Sequence, residues 1–291
     1  MLLRIIAIIF PIFAIVAVGY AYARVKKPDM AFANQLNMDL FVPALVFAAL
    51  ANKSFDLMAN WKLALGGTLV VLGSGLLAWP VAKLMKVPAN TLLPPMMFNN
   101  SGNMGLPLMV LAFGEQALPL AVVLFFVENT LHYSLGTWML DHHAKLWNLW
   151  RVPVIAAAIA GLAVSLLKIE LWSPLYIGIK MLGDVSIPLL LFSLGVRLTD
   201  SAAKDVRLGL VGAALCPLAG MAIAWTMAPL LGLDDMQAGM LLIFGALPPA
   251  VLNYIFAERY RQEPERVASI VMIGNMASLA FIPIALALAL R

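Results

Sequence analysis

The sequence predicts an all-α polytopic membrane protein of ten transmembrane helices, built as a 5+5 inverted repeat whose fourth and ninth helices are broken. Three observations predict it. Of 291 residues, 63% are hydrophobic and 12% charged, with a mean hydropathy of +0.94, against roughly 25% charge in a soluble domain. Apolar segments of about 18–22 residues recur along the chain, the length needed to cross a hydrocarbon core about 30 Å thick. Motifs of the first half return in the second at nearly constant spacing.

The spans fall at about 5–23, 31–51, 63–85, 92–113, 117–140, 152–168, 174–196, 207–231, 238–258 and 267–290. The first begins near Arg4 and ends at Ala21-Tyr22-Ala23, the pattern of a secretory leader. Its residues return in the sixth span, however: Pro11, Ala14, Gly19, Ala21 and Lys26 align with Pro153, Ala156, Gly161, Ala163 and Lys168. A duplicated segment reads as a membrane helix. The second span carries Asp39, Pro43, Leu45 and Phe47, matched in the seventh by Asp184, Pro188, Leu190 and Phe192. The third returns in the eighth, with Trp79, Ala82 and Leu84 matched by Trp225, Ala228 and Leu230. Five spans per half is an odd number, so the halves cross the membrane in opposite senses.

The fourth span is a poor helix. Residues 94–109 hold Pro94, Pro95, Pro107, Gly102, Gly105, Asn99, Asn100 and Asn103. Proline removes a helical hydrogen bond and glycine adds backbone entropy, which predicts a break near the centre. Such a break is tolerated at that depth where it is packed in protein or lines a wet cavity, and secondary transporters build substrate sites this way. The ninth span has the same character at the equivalent place, with Pro248, Pro249, Asn253 and Tyr254. Proline kinks in two ordinary bundle helices are the plainer reading. Equivalent placement in both halves, and the asparagines, favour a binding site.

Between these, Glu128 and Asn129 lie near the middle of the fifth span, and Asn275 is their approximate repeat mate in the tenth. Asn129 and Asn275 are candidate oxygen ligands for sodium, and Glu128 is a candidate proton carrier. His132 follows Glu128 by one turn and reads as its hydrogen-bond partner; His142 and His143 fall in a charged connection as solvated side chains. Asp39 and Asp184 are further proton-coupling candidates, since a carboxylate inside the bilayer costs about 3 kcal/mol or more unless paired or wetted. Against that stands a structural role, with Asp184 paired to Lys180 one turn away.

Charge sets the orientation. Numbered by these spans, one set of connections carries thirteen lysines and arginines, among them Lys26, Lys83, Arg197, Lys204 and Arg266, and the other carries six. The richer side is expected to be cytoplasmic, which leaves both termini outside. The net charge of +4 therefore follows from topology and needs no nucleic-acid partner. Cys216 is the single cysteine, so no disulfide framework or thiol metal cluster is expected. No motif asks for a cofactor or metal, and the zinc-protease pattern His-Glu-x-x-His is missing.

Residues 100–107 (Asn-Ser-Gly-Asn-Met-Gly-Leu-Pro), 247–257 (Leu-Pro-Pro-Ala-Val-Leu-Asn-Tyr-Ile-Phe-Ala) and 41–47 (Phe-Val-Pro-Ala-Leu-Val-Phe) make the chain resemble the auxin efflux carrier family, which includes the plant PIN carriers and bacterial malonate-type carriers. The resemblance covers essentially the whole chain. It implies the sodium–bile acid symporter fold, with helices 4 and 9 crossing at their breaks. It also implies scaffold helices in 1–58 and 151–203 that support a homodimer, and transport-domain helices in 59–150 and 204–291 that move as an elevator. The long cytoplasmic loop of the plant members has no counterpart here.

At such a crossover the free amide ends and dipoles of the second half-helices suit a carboxylate, and Pro107 and Pro249 are placed as first-turn residues of those halves. Asn99, Asn100, Ser101, Asn103, Asn253 and Tyr254 would add neutral donors and acceptors, while Gly102 and Gly105 serve close backbone approach. Pro248 completes the expected substrate site. With no arginine or lysine expected at its centre, the site suits a small organic anion, an auxin-like monocarboxylate or a malonate-like dicarboxylate, carried across a bacterial inner membrane. The alternatives are a sodium-coupled symporter of the bile acid type, a channel or sensor, and an intramembrane aspartyl protease using Asp39 and Asp184. The last lacks the Gly-x-Gly-Asp pattern, since residues 181–184 read Met-Leu-Gly-Asp.

Overall fold

The computed structural model describes residues 1–52, 57–142, 150–199 and 204–290, and within them the chain is helical apart from one isolated bridge. His143 lies outside the described residues. Among the described residues seven helices are long and apolar enough to cross a bilayer. They are α1 (Leu2–Lys26), α2 (Ala31–Leu50), α3 (Leu57–Met85), α6 (Glu115–Leu140), α8 (Ser173–Arg197), α9 (Val206–Leu231) and α12 (Pro264–Ala289). Shorter helices complete the set: α4 (Ala89–Met97), α5 (Ser101–Phe113), α7 (Pro153–Leu166), α10 (Asp235–Ala246) and α11 (Leu252–Arg259).

Glycine decides how closely two of these helices meet. A Cβ on Gly195 of α8 would lie 2.0 Å from the Val16 carbonyl oxygen of α1, and one on Gly19 of α1 would lie 2.2 Å from that of Phe192 on α8. The α1–α8 pair is thus backbone against backbone. The second half of α2 lies between α7 and α8, while α9 runs against α10, α12 and α3. A second crossing of the same kind joins Gly220 of α9 to Gly245 at the end of α10, where an added Cβ would meet carbonyl oxygen at 2.1 and 2.4 Å. Exposed Leu3, Leu76, Met181, Leu230 and Leu279 cover the outside of α1, α3, α8, α9 and α12 with apolar surface, as a lipid-facing belt requires.

The core sits at the two breaks. Phe98 closes α4 and Phe244 lies in the last turn of α10, and both are completely buried. Between α4 and α5 residues 98–100 leave the helix, as do residues 247–250 between α10 and α11. Both interruptions therefore fall where the prolines, glycines and asparagines predict them. Their detail differs from expectation at the prolines. Pro107 lies beyond a π-helical turn over Ser101–Gly105, so it is not in the first turn of the half-helix after the break. Pro249 belongs to the non-helical stretch itself, and α11 begins at Leu252.

Candidate functional site

The two breaks cross and pair as a minimal antiparallel sheet. Asn100 N–H donates to the Pro248 carbonyl at 2.7 Å and Ala250 N–H to the Phe98 carbonyl at 3.0 Å, leaving Asn99 opposite Pro249. These flanking bonds make Asn99 and Pro249 a non-hydrogen-bonded pair, the one place in an antiparallel ladder where no N–H is required. That explains a proline at the centre of the crossing and corrects its expected helical role.

Asparagines close the ends that the breaks leave open. A helix that stops inside the membrane leaves carbonyls without their usual helical partners, and each break supplies a side-chain amide to the other beside the backbone bonds. Asn99 Nδ2 donates to the Phe244 carbonyl of α10 at 2.7 Å, and Asn253 Nδ2 to the Phe98 carbonyl at the end of α4 at 2.8 Å. Asn275 on α12 clamps both: its Nδ2 donates to the Pro249 carbonyl at 3.0 Å and its Oδ1 accepts from Asn100 Nδ2 at 3.0 Å. Asn275 is thus a brace between the breaks, with its acceptor oxygen already engaged by an amide.

Beside the crossing lies a cavity of about 240 Å³, lined by Asn34, Asn37, Asn99, Asn100, Gly102 and Asn103 with Glu128, Asn129, His132, Tyr133, Ser193 and Arg197. Three helical irregularities ring it. The π-helical turns Asn37–Phe41 in α2, Ser101–Gly105 in α5 and His132–Gly136 in α6 each contribute lining residues. Such turns re-aim side chains and cluster at functional sites. Among the described residues seven buried side chains carry a polar atom without a protein hydrogen-bond partner. Four of them, Asn37, Asn99, Glu128 and His132, line this cavity. Buried polar atoms are nearly always satisfied, so this concentration marks a place built to meet a solute or water.

A larger cleft of about 680 Å³ adjoins it, sharing Leu194, Arg197, Val251 and Ile255, and reaches Lys204, Glu258 and Glu265. The smaller space carries the convergent polar groups. The larger one is its vestibule, opening at the face where α8 ends and α12 begins.

The expected residues distribute unevenly. Asn99, Asn100, Gly102 and Asn103 line the small cavity, and Ser101 adjoins it through a bond from its Oγ to Glu128 Oε2 at 2.5 Å. Gly102 and Gly105 face side chains rather than backbone: a Cβ would meet Phe125 at 2.9 Å and Leu247 at 2.8 Å. Pro107 is buried away from both spaces. Tyr254 lines the vestibule and donates to Glu258 Oε1 at 3.2 Å. Asn129 lines the cavity, its Nδ2 donating to the Phe125 carbonyl at 2.9 Å. Asp39 and Asp184 are exposed and line neither space; Asp184 is paired with Lys180 at 3.0 Å. The structure therefore gives the aspartates no shared site.

Arg197 was missed as a site residue. Counted from the sequence it is a loop charge, because the seventh span was expected to end at 196. The last turn of α8 extends one residue further and brings it to the wall of both spaces. Asn34 and Asn37 were also overlooked, although their spacing of three on an apolar helix placed two amides on one face.

The family model described as membrane transport protein matches residues 4–146 and 142–286. The chain belongs to this membrane transport protein family, that of the auxin efflux carriers. Two relatives resemble it along nearly their whole length. "Uncharacterized transporter" of Methanocaldococcus jannaschii is 22% identical over 94% of this chain and 96% of its own. "Putative malonate transporter" of Rhizobium meliloti is 24% identical over 95% of this chain and 93% of its own. Family membership and the seven long apolar helices make the chain a multi-pass membrane transporter. In this membrane transport protein the crossed breaks are where irregular backbone, amide groups and a cavity coincide.

Proposed function

We propose that the chain is a secondary carrier that moves a small organic anion by alternating access, with the anion held beside the crossed breaks. The observation that carries this reading is the polar cavity against the Asn99–Pro249 bridge. At about 240 Å³ it is smaller than the roughly 300–1,000 Å³ of drug-sized ligand sites, which suits a few-carbon acid. The start of α5 offers its amide end and Arg197 its guanidinium at the cavity wall, while the amide nitrogens of Asn37, Asn99 and Asn100 already donate to Ser186, Phe244 and Asn275. Arg197 makes a dicarboxylate the better fit of the two acids considered, with one carboxylate near the broken helices and the second toward the guanidinium. The name of the Rhizobium meliloti relative points the same way.

The ten-span inverted repeat belongs to this proposal. Supporting it, Gly19 approaches Phe192 while Gly161 approaches Phe47, a pairing of motif mates across the two halves. The mutual capping by Asn99 and Asn253 has the same crossed form. On this reading helices within 1–58 and 151–203 form the scaffold and those within 59–150 and 204–291 the moving body. The vestibule opens on the cytoplasmic side of an inner membrane, where Arg197, Lys204 and Arg266 lie, and both termini are outside. Exposed Asp39 and the Lys180–Asp184 pair on an otherwise apolar surface favour a second copy of the chain, which would cover them in a homodimer.

Counterflow tests the proposal: purified protein in liposomes preloaded with malonate should take up labelled malonate saturably, and other small dicarboxylates should compete. Uptake that is linear with concentration and shows no counterflow would make it a channel.

A further inference from the structure

The geometry points to a proton-binding site in the cavity wall, formed by Glu128 and His132 of α6, that couples proton movement to anion movement; it rests on the carrier reading above. Glu128 is the acidic residue that lines the 240 Å³ cavity. Its side chain and that of His132 are 3% and 2% exposed, so neither charge is relieved by bulk water. Glu128 Oε2 accepts from Ser101 Oγ at 2.5 Å and from Asn129 Nδ2 at 3.4 Å. Glu128 Oε1 lies 3.6 Å from His132 Nδ1 and has no hydrogen-bond partner, and His132 Nε2 has none either. A carboxylate held only for structure would have both oxygens engaged. Here one oxygen and one ring nitrogen remain open on residues that face the cavity.

The rest of the setting selects a proton. The His132 ring stacks on Phe98 at 4.2 Å between centroids and meets the edge of Phe256 at 5.0 Å. These contacts fix the imidazole one turn from the acid and tie it to both breaks, since Phe98 ends α4 and Phe256 lies on α11. The groups facing the pair are Tyr133 on α6, Arg197 on α8 and, through Tyr133, Arg259 on α11. α5 brings only Ser101 to the acid, and α2 brings the neutral Asn34 and Asn37 to the cavity. Among the described residues Glu128 is the one carboxylate in the cavity lining, and a carboxylate and an imidazole side by side suffice for one proton.

The coupling runs through Ser101. It is the first residue of α5 beyond the break, and its hydroxyl proton is committed to Glu128 Oε2. An anion seated at the start of α5 repels an ionised Glu128. Its arrival therefore draws a proton from water onto the pair, as a new O–H at Glu128 Oε1 or N–H at His132 Nε2. Departure of the anion on the other side reverses the step and returns that proton to water. The proton is carried with the anion, and no other reactant is consumed.

The test uses purified full-length protein in sodium-free liposomes, with malonate as probe and a trapped pH dye. Wild type should accumulate malonate down an inward proton gradient and acidify the lumen. In Glu128→Gln the ratio of gradient-driven accumulation to counterflow should fall at least tenfold, and in His132→Gln the pH midpoint of uptake should move. An unchanged ratio and pH profile in Glu128→Gln would overturn the inference, as would accumulation that needs sodium. Loss of malonate counterflow in wild type would instead count against the carrier reading. The site itself is read without any substrate, by infrared titration of the protonated carboxyl band of the protein in detergent. A pH-dependent band missing from Glu128→Gln supports the site, and its absence from wild type refutes it.

Discussion

The brace between the breaks can be taken apart one hydrogen bond at a time. Asn275→Ala deletes the donor to the Pro249 carbonyl and the acceptor of Asn100 Nδ2, both buried. The bond to the Val271 carbonyl also goes, but that oxygen keeps its own helical N–H. Leaving a buried group unsatisfied costs about 1–3 kcal/mol, so two such groups give a loss of about 3 kcal/mol. Asn100→Ala strands only Asn275 Oδ1 and should cost about 1–2 kcal/mol on the same scale. The double variant strands only the Pro249 carbonyl, so it should lose less than the sum by about 3 kcal/mol on the same scale. Thermal unfolding in detergent reads this, at about 2–4 °C per kcal/mol for a chain of this length. A drop of less than about 2 °C for Asn275→Ala, or strict additivity of the two changes, would refute the idea that this amide holds the crossing together.

Other consequences follow from packing and charge. Gly220→Ala puts a Cβ 2.1 Å from the Gly245 carbonyl oxygen, which forces α9 and α10 apart. It should cost about 3 kcal/mol, read as a lower melting temperature or loss of monodisperse protein. Gly178→Ala meets nothing within 4 Å and should stabilise α8 by up to about 1 kcal/mol; a large loss there would reveal a neighbour on that face. Arg197→Gln should weaken malonate competition about tenfold, roughly 1.4 kcal/mol, while Asp39→Asn should leave it within about twofold; the reverse order would reject the placement of the anion. Asp205 caps α9 by accepting from the Leu208 amide and also accepts from Arg266 Nε, and these two hold its carboxyl below the usual carboxylate range. Asp205→Ala should therefore cost about 1 kcal/mol at neutral pH. Because the folded value is depressed, that contribution is full above about pH 4 and fades as pH falls through the folded value. Melting temperatures of wild type and variant should converge in acid, and a constant gap would contradict the assignment.

How far the sequence reached depended on whether one residue's chemistry or the meeting of two segments was at issue. The helices and both interruptions were legible, because bilayer thickness sets the length of an apolar run and proline and glycine act where they stand. The role of Pro249 was not. From one strand of text it looks like the start of a helix, and only its partner Asn99 makes it the gap in a ladder. The amides show the same limit. Asn99, Asn253 and Asn275 were recognisable as costly groups inside a membrane, yet nothing local says which carbonyl each one satisfies. The intramembrane aspartates show the same dependence: repeat position pairs Asp39 with Asp184, while a helix face decides exposure, and the face turns both outward. Arg197 shows why charge is hardest to place: one residue more or less at a helix end moves it between a loop and a cavity wall. Glu128 needed the least inference. A lone acid amid apolar residues must find a proton, a cation or a hydrogen bond, and here Ser101, His132 and the open cavity stand around it. Its proximity to the break follows from the fold, and so the link between its charge state and the start of α5 is a property that only the assembled structure has.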